Sequence, residues 1–231
     1  MELEYFTLFS AEHILSLICY TALAFILIFV SQIFARKRFA ITVSTIIFII
    51  KIAELTVRHL VYGETFLQLL PIHLCNITFV LAILEMINPS KKIFQILFYW
   101  GLGAVAALLF PDSKLSFPNF VGISFFLTHF FILFVVWYQM IIFKYRPKVS
   151  GIFASFVGIN ILAVVVFKIN EILGTNYMYI NYKPAFDSPL NYFGPWPNYI
   201  LVGEIIFLVL SFLCYLPFRK KNFKYSSSYY R

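Results

Sequence analysis

The sequence predicts an all-α, polytopic membrane protein, a seven-transmembrane-helix bundle with its N-terminus outside and its C-terminus in the cytoplasm. Three observations predict it. Of 231 residues, 61% are hydrophobic, 20% aromatic and only 12% charged, where soluble domains carry about 25% charge. Mean hydropathy is +0.87, and a soluble globule of this size has too little interior to hide so much Phe, Ile and Leu. The apolar residues also fall in runs of the length a helix needs to cross about 30 Å of hydrocarbon, roughly 20 residues. Finally, the basic residues gather in alternate loops. A transmembrane barrel would instead show short alternating segments, and these runs are apolar at nearly every position.

The first run, His13 to Phe34, follows an acidic Met1-Glu2-Leu3-Glu4. A secretory signal starts with a basic region and has a shorter apolar run, so no cleaved signal is expected and the chain stays in the cell membrane. Span two is Phe39 to Leu60, span three Phe66 to Ile87 and span four Lys92 to Phe110. Span five is Phe120 to Phe143, span six Gly151 to Leu173 and span seven Asn198 to Phe218. The whole chain, residues 1–231, reads as one integral membrane domain. Arg36, Lys37 and Arg38 follow span one, Lys91 and Lys92 span three, and Lys144, Arg146 and Lys148 span five. Arg219, Lys220, Lys221, Lys224 and Arg231 follow span seven, against Arg58, Lys114 and Lys183 on the other side. Cytoplasmic loops hold the excess of Lys and Arg, which sets the orientation. The net charge of +8 therefore belongs to the membrane-facing loops, and no nucleic-acid partner is expected. Cys19, Cys75 and Cys214 show no CxxC spacing, so neither a disulfide framework nor a metal site is expected, and no cofactor.

Ionisable residues inside a span are costly and usually face the bundle interior. Here they crowd the outer half: Glu12 and His13 at the start of span one, Lys51, Glu54, Arg58 and His59 in span two, and His73, Cys75 and Asn76 early in span three. His129 lies about nine residues into span five, Asn160, Lys168, Asn170 and Glu171 run up span six, and Glu204 begins span seven. Glu85 is the main exception, near the cytoplasmic edge. The pattern predicts a polar chamber opening outward rather than a path across the membrane. Lys51, Glu54 and Arg58 stand at i, i+3 and i+7 along one stripe, so Glu54 can pair with both cations. The same spacing lets Lys168 pair with Glu171. Such networks either hold helices together or bind an anionic headgroup. The outer loop Thr175 to Pro197 holds Tyr177, Tyr179, Tyr182, Tyr192, Phe193 and Trp196 among four prolines. It suits an interfacial anchor, or a lid over an outward-facing site.

Span three contains Pro71-Ile72-His73-Leu74-Cys75-Asn76. Pro71 has no amide to donate and clashes within a continuous helix, so the helix kinks or restarts there. A restart places Cys75 at a helix N-terminus, where the positive end favours a thiolate and loose amides can hold an oxyanion. At about 100° per residue, His73 and Asn76 share a face while Cys75 is turned about 200° from His73. A base for Cys75 must then come from another helix, and His129 fits by depth. The alternatives stay open, since a membrane Cys is commonly a small apolar filler and a membrane His a structural hydrogen-bond partner.

Phe9-Ser10-Ala11-Glu12-His13, Pro71-Ile72-His73-Leu74-Cys75-Asn76, Asn176-Tyr177-Met178-Tyr179 and Gly194-Pro195-Trp196-Pro197 together resemble the bacterial YwaF family, along essentially the whole chain. That family looks related to the eukaryotic transmembrane protein 164 acyltransferases, which act on phospholipids. It is more distantly similar to androgen-induced membrane hydrolases of fatty-acid esters, which use a Thr nucleophile and a His on separate spans. The resemblance implies Cys75 as nucleophile and His129 as its partner, the latter by span position rather than by a shared motif. His73, Asn76, Glu54, Arg58, Lys168, Glu204, Trp196, Glu12 and His13 are then substrate-binding or site-orienting. Two functions are expected from these readings. One is a lipid acyltransferase, working between phospholipids and lysophospholipids without CoA, or a lipid ester hydrolase. The other is a non-enzymatic carrier or transporter subunit using the charged network, weakened by the apolar inner half. A seven-helix receptor or photoreceptor fares worst, since span seven has no lysine before Lys220 to form a retinal Schiff base and the cytoplasmic loops are short.

Overall fold

A computed structural model describes residues 6–111, 118–185 and 188–219. The described chain is helical throughout, and its helices run in the order in which the sequence lays them out. α1 is Ala11–Val30, α2 Arg36–Leu60, α3 Phe66–Leu69, α4 Leu74–Ile87, α5 Lys91–Leu109, α6 Phe120–Ile142, α7 Val149–Leu173 and α8 Asn198–Tyr215. Six of these, α1, α2, α5, α6, α7 and α8, are long and apolar enough to cross a membrane. This is a multi-pass membrane protein. Lys114 and the basic tail from Lys220 onward, both used in assigning orientation, lie outside the described residues.

Span three, expected over Phe66 to Ile87 with a kink or restart at Pro71, is broken there. It is the four-residue α3, a break from Leu70 to His73, and the 14-residue α4. The cause is Pro71. It removes a backbone donor and pushes the preceding residue out of helical geometry, and Leu70 sits at ψ 130°. α4 alone is about 21 Å long at 1.5 Å per residue, shorter than the hydrocarbon core. Three segments, α1, α3 and α6, begin at a side-chain cap. Thr65 and Gln68 form a reciprocal capping box on α3, Ser10 caps α1 by accepting from the His13 amide at 3.2 Å, and Asn119 caps α6. Gly174, at φ 66°, ends α7 in the left-handed conformation that glycine adopts without penalty.

α6 is the central helix. Of its most apolar stretch 61% is buried, against 11% for α8, which is why it is apolar or aromatic on nearly every face. α2, α4, α5 and α1 surround it. Phe79 of α4 meets Phe131 at 5.7 Å, and Phe39 of α2 stacks on Tyr138. α7 and α8 pack outside α5 and leave Phe153 and Ile172 at 67% and 81% exposure, as suits lipid-facing side chains. Tyr99 and Trp100 fasten α5 to the start of α7 by hydrogen bonds to the carbonyls of Lys148 and Ser155, at 2.8 and 3.1 Å.

Candidate functional site

The charged stripe on α2 folds as its spacing requires. Glu54 is 3% exposed; its carboxylate accepts from Lys51 Nζ at 2.9 Å and from Arg58 Nη1 at 3.3 Å. Two further partners were not legible in the sequence. Ser124 Oγ of α6 donates to Glu54 at 2.9 Å, tying the stripe to the central helix. Arg58 makes a bidentate pair with Glu64, at 2.9 and 2.6 Å, beyond the end of α2. Glu64 lay in a connecting loop, and nothing in its neighbourhood marked it as a partner. His59 is drawn into the same turn through the Glu64 carbonyl at 2.8 Å.

The break in span three leaves backbone groups that a helix would have satisfied, and in a bilayer such backbone is tolerated only when protein covers it. The loop between α7 and α8 supplies the cover. Tyr177 OH donates to the Leu67 carbonyl, and the Met178 amide donates to His73 Nδ1 at 3.2 Å. The His73 ring lies against both Tyr177 and Tyr179. Asn170, 2% exposed at the end of α7, organises this loop from below. Its side chain holds both the amide and the carbonyl of Tyr177 at 2.8 and 3.0 Å, together with Thr175 and Asn181. Burial of the Tyr177 phenol raises its pKa, so it remains a donor. Met178 and Tyr179 both take positive φ, 59° and 53°, an uncommon state for non-glycine residues. Trp196 donates to the Ile180 carbonyl at 3.0 Å and Tyr199 to the Tyr179 carbonyl at 2.6 Å.

Cys75 therefore lies in the first turn of α4, behind the N-cap residue His73. The Asn76 amide donates to the His73 carbonyl at 3.0 Å, and Lys51 and Glu54, on the neighbouring α2, act on Cys75 electrostatically. The same two charges act on His129. His129 Nδ1 bonds the Phe125 carbonyl at 2.7 Å, while Nε2 is buried with no hydrogen-bond partner among the described residues. No hydrogen bond among the described residues joins His129 to Cys75. On the helical wheel His129 is turned about 160° from Phe131, the residue that faces α4, and its ring lies on Phe125 at 4.2 Å.

The other expected residues lie elsewhere. His13 is 1% exposed; Nε2 bonds the Leu108 carbonyl at 2.8 Å and Nδ1 accepts from the Phe9 amide. With both nitrogens engaged, it latches α1 to α5. Glu12, one residue earlier, is exposed. Lys168 and Glu171 pair at 2.7 Å on the exposed side of α7, with 68% and 46% of their side chains accessible. Glu204 is half-buried on α8 with no ion pair among the described residues. Among the described residues no group of three His, Cys, Asp or Glu side chains gathers as a metal site would require.

Long apolar helices around one broken span, with a paired charge stripe on α2, define a multi-pass membrane protein. The chain belongs to the TMEM164 family, whose model matches residues 8–215. It is also similar to an uncharacterized protein of Treponema pallidum (strain Nichols), 27% identical over 157 residues. That match covers 68% of this chain and 65% of the relative. No solved structure matches the chain.

Proposed function

We propose that the protein is a lipid acyl enzyme of the cell membrane in which Cys75 is the nucleophile. The observation that carries this reading is the placement of Cys75. It sits in the first turn of a helix restarted after Pro71, where the leading amides of a helix have no intrahelical acceptor, with the Lys51–Glu54 pair on the neighbouring α2. The thiolate, rather than the thiol, is the nucleophile. The thiolate attacks the carbonyl carbon of a phospholipid ester, and the same amides hold the oxyanion. The carbon–oxygen bond breaks to leave a thioester on Cys75 and a lysophospholipid, which takes the proton released by the thiol. His129, the partner that the family resemblance implies, is the carrier of that proton; its face of α6 is turned from the one that meets α4, so α6 has to rotate against α4 when substrate binds to bring it to the sulfur. A lysophospholipid hydroxyl then attacks the thioester, the carbon–sulfur bond breaks, and the proton returns to sulfur. Water in place of that hydroxyl would give hydrolysis, but a site enclosed by lipid favours transfer.

The bacterial family that the chain resembles, and its relation to eukaryotic phospholipid acyltransferases, support a phospholipid as substrate. The positive-inside orientation puts the N-terminus and the aromatic loop outside. Acyl-CoA is cytoplasmic, so the donor is another phospholipid. The test uses purified wild type, Cys75→Ala and His129→Ala in liposomes with an isotope-labelled diacyl phospholipid and a lysophospholipid, without CoA. Label that moves to lysolipid or free fatty acid only with wild type supports the reading, and the product ratio separates transferase from hydrolase. Equal inertness of all three proteins across several headgroups overturns it.

A further inference from the structure

An apolar groove of about 200 Å³ lies between α1, α2 and α6. Each wall covers the same length of helix: Tyr20 to Leu27 on α1, Val43 to Ile50 on α2, and Leu127 to Phe134 on α6. Eight residues, seven steps of about 1.5 Å, make the groove about 10 Å long. Its back is closed by Ile47 and Phe131, 6% and 5% exposed. It therefore differs from the convex outer faces of α7 and α8, where side chains such as Ile172 stand free.

The ends of the groove are unequal. On α2, Ile47 and Ile50 share a stripe with Glu54, at i+7 and i+4. On α6, Phe131 and Leu127 share a stripe with Ser124, at i−7 and i−3. These two stripes meet just beyond the groove in the Ser124–Glu54 hydrogen bond of 2.9 Å, with Lys51 attached to the same carboxylate oxygen. One continuous surface is thus hydrocarbon for about 10 Å and then ionic. Cys75 is on the far side of the same junction, since it shares a stripe with Phe79 (i+4), which packs on Phe131.

We propose that this groove seats one acyl chain of a glycerophospholipid, with the ester end at the Glu54–Ser124 junction and the first part of the chain running along α2 and α6. This deepens the acyl-enzyme reading and rests on it for the chain's role as substrate. The dimensions fit: with C–C bonds of about 1.5 Å, an extended chain covers the groove with about eight carbons. A free fatty acid would bring a carboxylate against Glu54, whereas a neutral ester does not. Hydrophobicity does not hold the chain, because bulk lipid is equally apolar. Selection comes from packing against the closed back and from the polar junction.

The test places the full protein in phosphatidylethanolamine–phosphatidylglycerol vesicles with a trace of phosphatidylethanolamine carrying a mid-chain diazirine. After irradiation, adducts are mapped by mass spectrometry. They are expected on the groove residues of α1, α2 and α6, in wild type and in Cys75→Ala alike. Leu23→Trp and Ile46→Trp fill the groove from positions that are 40% and 53% exposed, so the fold tolerates them; each removes those adducts, while Ile205→Trp on α8 does not. Adducts spread over Phe153, Ile172 and similar residues in proportion to exposure overturn the proposal, as does indifference to both groove variants. Stronger labelling of the groove by a diazirine fatty acid than by the phospholipid also overturns it. Groove adducts in a protein that transfers no acyl group uphold the lipid seat and retire only the enzymatic reading.

Discussion

Replacing Glu54 by Ala tests what holds α2 to α6. The carboxylate is 3% exposed and serves Lys51, Arg58 and Ser124 at once. Without it Arg58 keeps its two bonds to Glu64, but Lys51, with 15% of its side chain exposed, is left as a nearly buried cation. Removing one partner of a buried pair costs about 3–5 kcal/mol. Because Arg58 retains a partner, the cost falls near the lower end, about 3 kcal/mol, with the orphaned Ser124 hydroxyl adding about 1 kcal/mol. The double variant Lys51→Met with Glu54→Gln removes both charges and keeps an acceptor for Ser124, so it is expected within about 1 kcal/mol of wild type. Unfolding of the purified protein in mixed micelles with increasing SDS measures both. If the double variant is as damaged as Glu54→Ala, uncompensated charge is not the cause and the argument fails.

Three further outcomes follow from the packing. Asn170→Ala removes the side chain that holds the amide and carbonyl of Tyr177, at a net cost of roughly 1 kcal/mol per hydrogen bond. It should expose the 175–182 loop to protease before the bundle unfolds, and unchanged protection would count against the loop's anchoring. His13→Ala loses both ring partners and the aromatic packing of Phe6, Phe9 and Phe126. It should lower stability by about 2–3 kcal/mol while leaving any acyl transfer per folded molecule intact, since both nitrogens are occupied in holding α1 to α5; a selective loss of turnover would place His13 in the chemistry instead. Gly151→Ala puts a Cβ 2.5 Å from Gln95 Oε1 and 2.8 Å from Tyr99 Cε2. Overpacking of this kind costs about 1–3 kcal/mol, whereas Gly203→Ala on α8, with open space around it, should be silent in the same unfolding assay.

Much of the local structure was legible because it depends on spacing within one segment. The i, i+3, i+7 stripe of Lys51, Glu54 and Arg58 formed its two ion pairs, and Lys168 paired with Glu171. Pro71 marked the restart that puts Cys75 at the head of α4, although the same proline made span three shorter and less continuous than its apolar run suggested. The apolar runs located the six long helices to within a few residues, because a lipid solvent demands the same length and composition from each.

What the sequence could not supply is which stripe meets which. Composition is nearly uniform around α6, so nothing local distinguished the Ser124 face, which receives Glu54, from the His129 face, whose Nε2 has no partner among the described residues. Glu64 and Asn170 read as ordinary loop and helix-end residues until the fold brought them to Arg58 and Tyr177. The groove between α1, α2 and α6 belongs to no single segment at all. Periodicity and hydropathy are properties of one helix in lipid, and they determined a multi-pass helical membrane protein with its polar residues concentrated at particular depths. Partnership is a property of how helices rotate against one another. Only tertiary packing decided which of those polar residues bond to one another.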